Sequence, residues 1–377
     1  MYQFHFVHRS PPAHASAFRA SRATRLKTAI FAATLLATPA IVAADNKPDA
    51  GRLIAGPVSV EAQPIVDFRR NGGSGETRFG QLDWRGGLVL TSPSPYFGGW
   101  SGLVLDPDGR KFVSISDSGV WLTGELAYNG GKLSAVQKAQ MGPLLAEDGI
   151  PFKRDRDRDA EAVALVNGTI SSGSFLVAFE QNHRILRFDV TRDGFSPSRG
   201  ALTLPPDTKK MRRNTGLEAM TVMRGGPYKG ATVAMSERLL DSHHNHTGWI
   251  WTGGATQKFN LENIGDFDLT DIASTEDGTL FVLERRFRWL EGVKMRVRKI
   301  MPGDLEPGHT VKGQILIEAD YEFDIDNMEG LAVSRGRPGE TILTMISDDN
   351  FNSYLQRTLL LQFSLSEPQT AKARPDQ

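Results

Sequence analysis

The chain contains no cysteine. Disulfide bonds and thiolate chemistry are therefore excluded, and the stability of the fold must come from burial of apolar surface. Three catalytic signatures are also missing: the Gly-x-Ser-x-Gly nucleophile elbow, the Walker phosphate loop and the His-Glu-x-x-His zinc helix. The sequence gives little support to a nucleophilic serine hydrolase.

The first 44 residues contain no Asp or Glu and carry five basic residues, and the stretch from Thr28 to Ala44 is apolar or small. A basic region followed by a short apolar region is typical of a secretory signal peptide, which we expect to be cleaved after Ala44. Arg22 and Arg25 are not adjacent, so the general export route is favoured over the twin-arginine route. A membrane anchor or a misassigned start is the alternative. We expect a periplasmic or secreted protein.

No later run of about 18 apolar residues occurs, so no membrane span is expected after cleavage of the signal peptide. The whole chain has a formal net charge of +0, and removing the five basic residues of the signal leaves about −5. A mildly acidic chain argues against nucleic-acid binding, which requires a basic surface. Small cations or cationic surfaces are better partners. The sequence carries no signal for an oligomeric state.

Glycine and proline are plentiful and scattered, with 38 and 20 residues, which is typical of many short strands joined by turns. One unit is clearest near the C-terminus. An acid, Glu329, opens an apolar strand; a turn at Gly336–Gly339 reverses the chain; a second strand ends on Asp348. Comparable acid, strand, turn, strand, acid units occur four more times, about 55 residues apart.

A repeat of this length with three or four strands per copy predicts an all-β fold, a β-propeller of five four-stranded blades. A sixth blade built from residues 57–97 is the alternative. The last copy lacks its fourth strand, and Phe79–Thr91 has no partner of its own, so we expect this N-terminal strand to complete the last blade. The predicted organisation is a signal peptide at 1–44, a tether with a strand at 45–78, the propeller at 79–366 and a polar tail at 367–377.

The repeat places one residue at the start of each first strand, position one, and another at the end of each second strand, position two. Antiparallel strands return the chain to its starting face, so both sets should meet at one mouth of the propeller. Position one comprises Ser101, Glu161, Glu218, Asp271 and Glu329, and position two comprises Asp117, Glu180, Glu237, Glu284 and Asp348.

Carboxylates gathered in one place cost free energy unless they are protonated, paired with arginine or bound to cations. Hard oxygen ligands suit Ca²⁺. We therefore predict catalytic roles for Glu161, Glu218, Glu237 and Glu329, and Ca²⁺ binding by Asp117, Glu180, Asp271, Glu284 and Asp348. Alternatively, these acids only cap strand ends through hydrogen bonds to the backbone.

Basic residues beside the acids could bind an anionic ligand, and we predict such roles for Arg184, Arg238, Arg285 and His243. His243 lies in a loop with His244 and His246. Three imidazoles could ligate zinc or shuttle protons, but adjacent side chains point apart, so a phosphate contact or a plain exposed loop is favoured. In Asp155–Glu161, acids alternate with arginines and no glycine turn is present. A solvated loop is favoured there, with Asp159 and Glu161 as the exceptions.

Several of these segments together resemble the phytase-like family, described as "esterase-like activity of phytase". The matching segments are Gly98–Leu103 with Phe112–Asp117, Asp159–Glu161, Gly216–Glu218, and Met328–Leu331 with Ser347–Asn350. The resemblance covers about residues 79–365. It implies a secreted β-propeller in which recurrent Glu and Asp residues support phosphoester hydrolysis, with Ca²⁺. Ser101 and Asp271 depart from the Glu pattern at position one.

Two hypotheses follow. In the first, the protein hydrolyses a small-molecule phosphoester, with carboxylates holding Ca²⁺ and arginines neutralising phosphate oxygens. In the second, it is a propeller that binds an anionic ligand or a partner without chemistry, and Ca²⁺ is purely structural. The fold alone does not decide between them, because propellers host many functions.

Overall fold

The computed structural model describes residues 47–72 and 75–366. The predicted signal peptide and the polar tail at 367–377 lie outside the described residues. The fold is all-β, with five blades in a propeller arrangement and 4% helix. The short helices are Ala50–Arg52 and Pro206–Lys210, both 3₁₀, and the α-helix Asp155–Arg158. Within the described ranges, no helix has the length and apolar character needed to cross a membrane.

Four strands precede the first blade: β1 (Gly56–Pro57), β2 (Glu61–Ile65), β3 (Arg78–Phe79) and β4 (Leu82–Thr91). Blade 1 then runs outward from the axis as β5 (Trp100–Leu105), β6 (Lys111–Ser116), β7 (Val120–Asn129) and β8 (Lys132–Pro143), and β1 pairs with β8.

Blades 2 to 4 repeat this order. Blade 2 contains β9 (Ala160–Thr169), β10 (Ser172–Phe179), β11 (Arg184–Thr191), β12 (Gly194–Phe195) and β13 (Arg199–Leu202). Blade 3 contains β14 (Leu217–Val222), β15 (Thr232–Leu240), β16 (His246–Thr252) and β17 (Ala255–Leu261). Blade 4 contains β18 (Asp268–Ser274), β19 (Leu280–Arg288), β20 (Gly292–Ile300) and β22 (Gln314–Ala319), and the intervening β21 (Thr310–Val311) joins the edge of blade 3.

Blade 5 consists of β23 (Asn327–Arg335), β24 (Glu340–Asp348) and β25 (Thr358–Ser366), followed by β4 and β2 from the N-terminus. β4 lies antiparallel to β25, with Leu88 opposite Leu360. The prediction that an N-terminal strand completes the last blade is confirmed. The alternative of a sixth blade is wrong, because the strands of residues 57–97 belong to blades 1 and 5.

The core is divided among the blade interfaces, with one hydrophobic cluster between each pair of neighbouring blades. In β5, Leu103 and Leu105 face the cluster shared with blade 5, and Val104 faces the cluster shared with blade 2. This is the period of two expected for a strand buried on both faces. Burying each such side chain contributes about 1.5–3 kcal/mol, so radial packing stabilises the ring.

Candidate functional site

A β-bulge marks the beginning of the innermost strand of every blade. In blade 5, Met328 pairs with Ser347 and Gly330 pairs with Ile346, which leaves Glu329 as the extra residue. Bulges lie at the same place in the other four blades, where the extra residues are Ser101, Glu161, Glu218 and Thr270. A bulge re-aims its side chain away from the regular alternation of the strand. Together the five bulges form a ring at one mouth of the propeller.

The pairing of the first and second strands also locates position two in each blade. Asp348 pairs with Asn327, just before the bulge in blade 5, and the matching residues at the end of the second strand are Asp117, Glu180 and Glu237 in blades 1 to 3. The sequence prediction that the two acidic sets meet at one mouth therefore agrees with the register in blades 2, 3 and 5. Blade 1 contributes an acid only at position two.

In blade 4, the residues at positions one and two differ by one residue from those predicted from the sequence repeat. Leu269 pairs with Glu284, and Asp271 pairs with Leu283, so the bulged residue is Thr270 and the residue at position two is Arg285. Asp271 and Glu284, the residues assigned from sequence, lie one position away from the mouth ring. Blade 4 thus contributes a hydroxyl at position one, where three other blades contribute an acid, and a guanidinium at position two, where all four other blades contribute an acid.

Asp271 lies in the central channel and is buried. Its carboxylate accepts hydrogen bonds from the backbone N–H groups of Leu331 (2.7 Å) and Ile272 (2.8 Å), and also from Leu103 and Met220. These donors lie on the innermost strands of four blades. In the other blades the residue after the bulge is small, and it is Gly102, Ala162, Ala219 or Gly330. The small residues leave room for the Asp271 carboxylate, which ties the strands together at the axis.

Glu284 forms a buried ion pair inside blade 4. Arg298 Nε donates to Glu284 Oε2 over 2.8 Å, the second guanidinium nitrogen bonds to the other oxygen, and both side chains are 0% exposed. Arg296 lies 3.7 Å from the same carboxylate. The structure therefore does not bring Glu284 to the mouth, and its oxygen atoms are already occupied by arginine.

The remaining acids gather around two cations. Lys47 Nζ lies 2.9 Å from both Asp117 Oδ2 and Asp159 Oδ1. Across the mouth, Arg285 Nη2 lies 3.6 Å from Glu329 Oε1 and 3.8 Å from Glu237 Oε1. Eight carboxylates thus share two cationic side chains. They are Asp117, Asp159, Glu161, Glu180, Glu218, Glu237, Glu329 and Asp348.

Neutral donors hold part of this cluster in place. The amide of Asn327 donates to Glu329 Oε1 over 2.7 Å. The backbone N–H of Gly216 donates to Glu180 Oε1 over 2.9 Å. A Cβ at residue 216 would lie 2.8 Å from Glu180 Cγ, so only glycine permits this approach. Gln181 donates to Asp159 Oδ2 over 2.6 Å.

Burial and mutual repulsion raise the pKa values of much of the cluster. Burial raises the pKa of Glu161, Glu218 and Asp348 well above the usual range, and neighbouring carboxylates add to the effect. Burial, opposed by Lys47, raises the pKa of Asp117 to about 7. Burial and the charge of Asp268 raise the pKa of Glu237 to about 7.

A hydrogen bond joins Glu180 and Glu218. Two carboxyl groups can bond in this way only when one of them carries a proton. Burial raises the pKa of both groups, and the effect is larger for Glu218, whereas the bond itself lowers the pKa of Glu180. Glu218 is therefore the proton donor of the pair.

Two groups of three carboxylates have oxygen atoms within 4.8 Å of one another: Asp159 with Glu161 and Glu180, and Glu180 with Glu218 and Glu237. Glu180 belongs to both. An all-oxygen donor set of this kind fits Ca²⁺, which takes about 6 to 8 oxygen ligands. Among the predicted calcium ligands, Glu180 lies in these groups, Asp117 and Asp348 lie beside them in the cluster, and Asp271 and Glu284 are engaged elsewhere.

Of the four predicted ligand-binding residues, the structure places Arg285 in the mouth. Arg184 lies over the ring of Phe179, 4.1 Å from its centroid, and donates to the carbonyl oxygen of Asn182. Arg238 forms a two-point ion pair with Asp268. His243 lies on an exposed turn, where its backbone N–H donates to Asp241.

The other histidines of that loop do not gather into a metal site. His246 is buried in β16, and its two ring nitrogens lie 2.8 Å and 3.0 Å from the carbonyl oxygens of Glu237 and Phe267. Burial lowers the pKa of His246. His244 has a positive φ of 64° in the adjacent turn. The zinc alternative has no geometric support among the described residues of this loop.

Sequence reasoning missed Lys47 and Thr270 and assigned no site role to Asp159. Lys47 falls in the polar tether, where no periodic pattern reveals a contact with blades 1 and 2. Thr270 precedes an acid that matches the repeat better by residue type. A signal for Asp159 was present, since it lies two residues before Glu161 and has the same sign of charge.

Comparison with models of known protein families gives a match. The model of the family described as "Phytase-like: Esterase-like activity of phytase" matches residues 95–351, which is more than half of the chain. The match begins just before blade 1 and ends just after position two of blade 5. A search of curated proteins finds no match.

Proposed function

Because the chain belongs to the phytase-like family, we propose that it is an exported hydrolase that cleaves small phosphoesters at the acidic mouth and depends on Ca²⁺. The observation that carries this proposal is the mixed charge of the mouth. Protonated carboxyl groups, ionised carboxylates and a guanidinium lie within one cluster. Phosphoryl transfer needs positioning and charge stabilisation more than a covalent nucleophile.

Arg285 is suited to bind a phosphate oxygen. Its Nη2 lies 3.6–3.8 Å from the nearest carboxylate oxygens, and its buried Nε has no hydrogen-bond partner among the described residues. The side chain is 24% exposed and therefore reachable from solvent. A guanidinium in this position offers its forked donors to a phosphate.

The carboxyl groups divide into a proton donor and a proton acceptor. Burial raises the pKa of Glu218 well above the usual range, so Glu218 is suited to donate a proton to the leaving oxygen of an ester. Glu237, whose pKa is about 7, is ionised in a large fraction of molecules and can accept a proton from an attacking water molecule. A general acid and base work best when their pKa values lie near the working pH. We assign Glu161 and Glu329 to the electrostatic support of these two groups.

Asp159, Glu161 and Glu180 would hold a Ca²⁺ ion, which leaves Glu218 and Glu237 for proton transfer. When bound, the ion would neutralise carboxylate charge and polarise a phosphate oxygen. Cation binding would also displace protons from the cluster, because carboxylates bind metals in their ionised form.

The test is phosphate release from phytate and from an aryl phosphate by the purified protein, with Ca²⁺ and after chelation. We expect turnover that needs Ca²⁺ and falls by a factor of about 100 or more in Glu218→Gln and Glu237→Gln. Glu125→Gln is the matched control, because Glu125 pairs with Lys138 on the outer strands of blade 1. Absence of turnover across a broad phosphoester panel would refute the hydrolase proposal and leave the binding propeller.

A further inference from the structure

The face opposite the acidic mouth carries a second pocket, with a volume of about 220 Å³. It lies where the innermost strands end, because Ser274 ends β18, Arg335 ends β23 and Arg224 follows β14. Arg224, Ser274 and Val333 also line the adjoining axial cavity of about 30 Å³. Asp271 lies between this pocket and the acidic mouth, so the two faces carry separate sites. We call this second pocket the distal pocket.

Close backbone packing fixes Arg224 at the distal pocket. The next residue, Gly225, lies so near the turn of blade 4 that a Cβ there would be 1.9 Å from the carbonyl oxygen of Glu276. Gly278 of the same turn has φ +90° and packs against Gly225. In addition, the backbone N–H of Arg224 donates to Ser274 Oγ over 3.3 Å. Two glycines and a serine thus hold the loop that carries the guanidinium.

The carboxylates around the distal pocket are already engaged. Glu276 forms an ion pair with Arg335. Asp277 accepts hydrogen bonds from the hydroxyl of Thr279 (2.9 Å) and from its backbone N–H (3.1 Å). Glu340 lies 3.4 Å from Arg85 and accepts from the backbone N–H of residue 337 over 2.9 Å. None of these acids forms an ion pair with Arg224.

Arg224 is half-buried, and its guanidinium makes no hydrogen bond or ion pair within the described residues. Burial lowers its pKa, although the charges of Glu276 and Asp106 oppose this. The hydroxyls of Ser334 and Thr341 also line the pocket and likewise have no protein hydrogen-bond partner among the residues described. The Arg224 guanidinium and two hydroxyl groups therefore face the same space, alongside Lys299 and the Arg335–Glu276 ion pair.

We propose that the distal pocket binds a small oxyanion, a phosphate or carboxylate group, through Arg224 with Ser334 and Thr341. A desolvated guanidinium without a carboxylate partner gains most from a ligand with two acceptor oxygens. Hydroxyl groups complete the coordination of such an anion. The pocket is smaller than the roughly 300–1,000 Å³ typical of larger ligands, and Phe281 and Val333 provide one apolar wall. The ligand is therefore an anion with a small body.

The experiment measures binding of inorganic phosphate and of succinate by titration calorimetry at constant ionic strength, in the presence of a chelator. We expect Arg224→Gln to weaken binding about tenfold or more, since a charge-assisted hydrogen bond contributes about 1.5–3 kcal/mol. Arg192→Gln is the matched control, because Arg192 is 93% exposed on blade 2. Arg285→Gln removes the phosphate contact proposed at the acidic mouth, so binding that persists in this variant and is lost in Arg224→Gln belongs to the distal pocket.

Thr341→Val provides a second variant that removes only a hydroxyl, and we expect it to weaken binding while circular dichroism and melting temperature stay unchanged. Binding of phosphate alone narrows the ligand to phosphates, and binding of both anions extends it to carboxylates; either result supports the proposal. It is overturned if neither anion binds the wild type, if Arg224→Gln and Thr341→Val bind with unchanged affinity, or if only Arg285→Gln loses binding. None of these outcomes depends on hydrolysis at the acidic mouth.

Discussion

Lys47 Nζ bridges Asp117 of blade 1 and Asp159 of blade 2 at 2.9 Å from each. The lysine is 21% exposed, and both acids are buried. Burial alone would lower the pKa of Lys47, but Asp117, Asp159 and Glu161 outweigh it and raise the pKa. A residue near the N-terminal edge of the described chain thus serves as a counterion of the acidic mouth. Any cation that binds Asp159 must share that carboxylate with the ammonium group.

Replacing Lys47 by methionine should destabilise the protein more at alkaline than at acidic pH. At about pH 8 the variant leaves the ionised Asp117 and the neighbouring Asp159 without the ammonium group, and we expect a loss of about 1–3 kcal/mol. At about pH 5, Asp117, with a pKa of about 7, is protonated and the loss should shrink. Urea unfolding at the two pH values measures the difference.

Lys138→Met is the control for this prediction. Lys138 also lies 2.9 Å from a carboxylate, Glu125, but it is largely exposed. Exposed pairs of this kind contribute about 0–1 kcal/mol. The prediction is contradicted if both lysine variants lose the same free energy of unfolding, or if the loss at Lys47 does not change with pH. Lys47 would then not neutralise the negative charge of the cluster.

The protein without bound cations should become more stable as the pH falls from about 8 to about 5. Seven carboxyl groups of the acidic mouth have raised pKa values, so the folded state binds more protons than the unfolded state in this range, and protonation favours folding. The groups are Asp117, Glu161, Glu180, Glu218, Glu237, Glu329 and Asp348. His183 and His246 make the folded state less stable as the pH falls, because burial lowers their pKa values.

Melting curves in a chelating buffer test this prediction, and we expect a rise of about 5 °C or more between pH 8 and pH 5. Saturating Ca²⁺ should raise the melting temperature mainly at pH 8, where the carboxylates are ionised. Glu218→Gln should flatten the pH dependence, because the amide mimics the protonated acid. A melting temperature that falls steadily with pH would contradict the assigned shifts.

The sequence predicted the repeat, the closing strand and most of the mouth because these depend on local patterns. Strands buried on both faces give apolar runs, turns give glycine and proline, and an acid before each run recurs with the blade. The count of five blades follows from the same signals. Local patterns do not predict the strand register inside a blade, because a single bulged residue shifts every later position by one.

Blade 4 shows this limit. Its sequence offers two acids, Asp271 and Glu284, one residue away from the structural positions of Thr270 and Arg285. Residue type alone favours the acids. On the second strand, the residue paired immediately before the bulge is serine in three blades, Ser116, Ser236 and Ser347, and Glu284 occupies that place in blade 4. Only strand pairing reveals this equivalence.

The position of Glu284 predicts a role in stability and not in cation binding. Arg298→Met should cost about 3–5 kcal/mol, because it leaves a buried carboxylate without its partner. Two carbonyl oxygens also lose their donor, those of Glu262 and Lys312, which lie 2.9 Å and 2.7 Å from Arg298 Nη1. Chemical unfolding measures the loss.

Arg288→Met, in the same blade, is the matched control. Arg288 is 46% exposed and pairs with Asp266 and Glu291 at the surface, so a change below about 1 kcal/mol is expected. Calcium titration separates the roles further: Glu180→Gln should weaken binding, and Glu284→Gln should leave it unchanged. A weakened calcium affinity in a folded Glu284→Gln protein would show that Glu284 contributes to the metal site.

Closure of the ring by β4 should contribute strongly to stability through Leu88. This side chain is 0% exposed, lies opposite Leu360 in β25 and belongs to the cluster between blades 5 and 1. Leu88→Ala should cost about 2–5 kcal/mol in urea unfolding, because it opens a cavity where the N-terminal strand joins the C-terminal one. Gln63→Ala, an exposed change on the outermost strand β2, should stay within about 0.5 kcal/mol. If both variants unfold at the same urea concentration as the wild type, the ring does not depend on this strand for its stability.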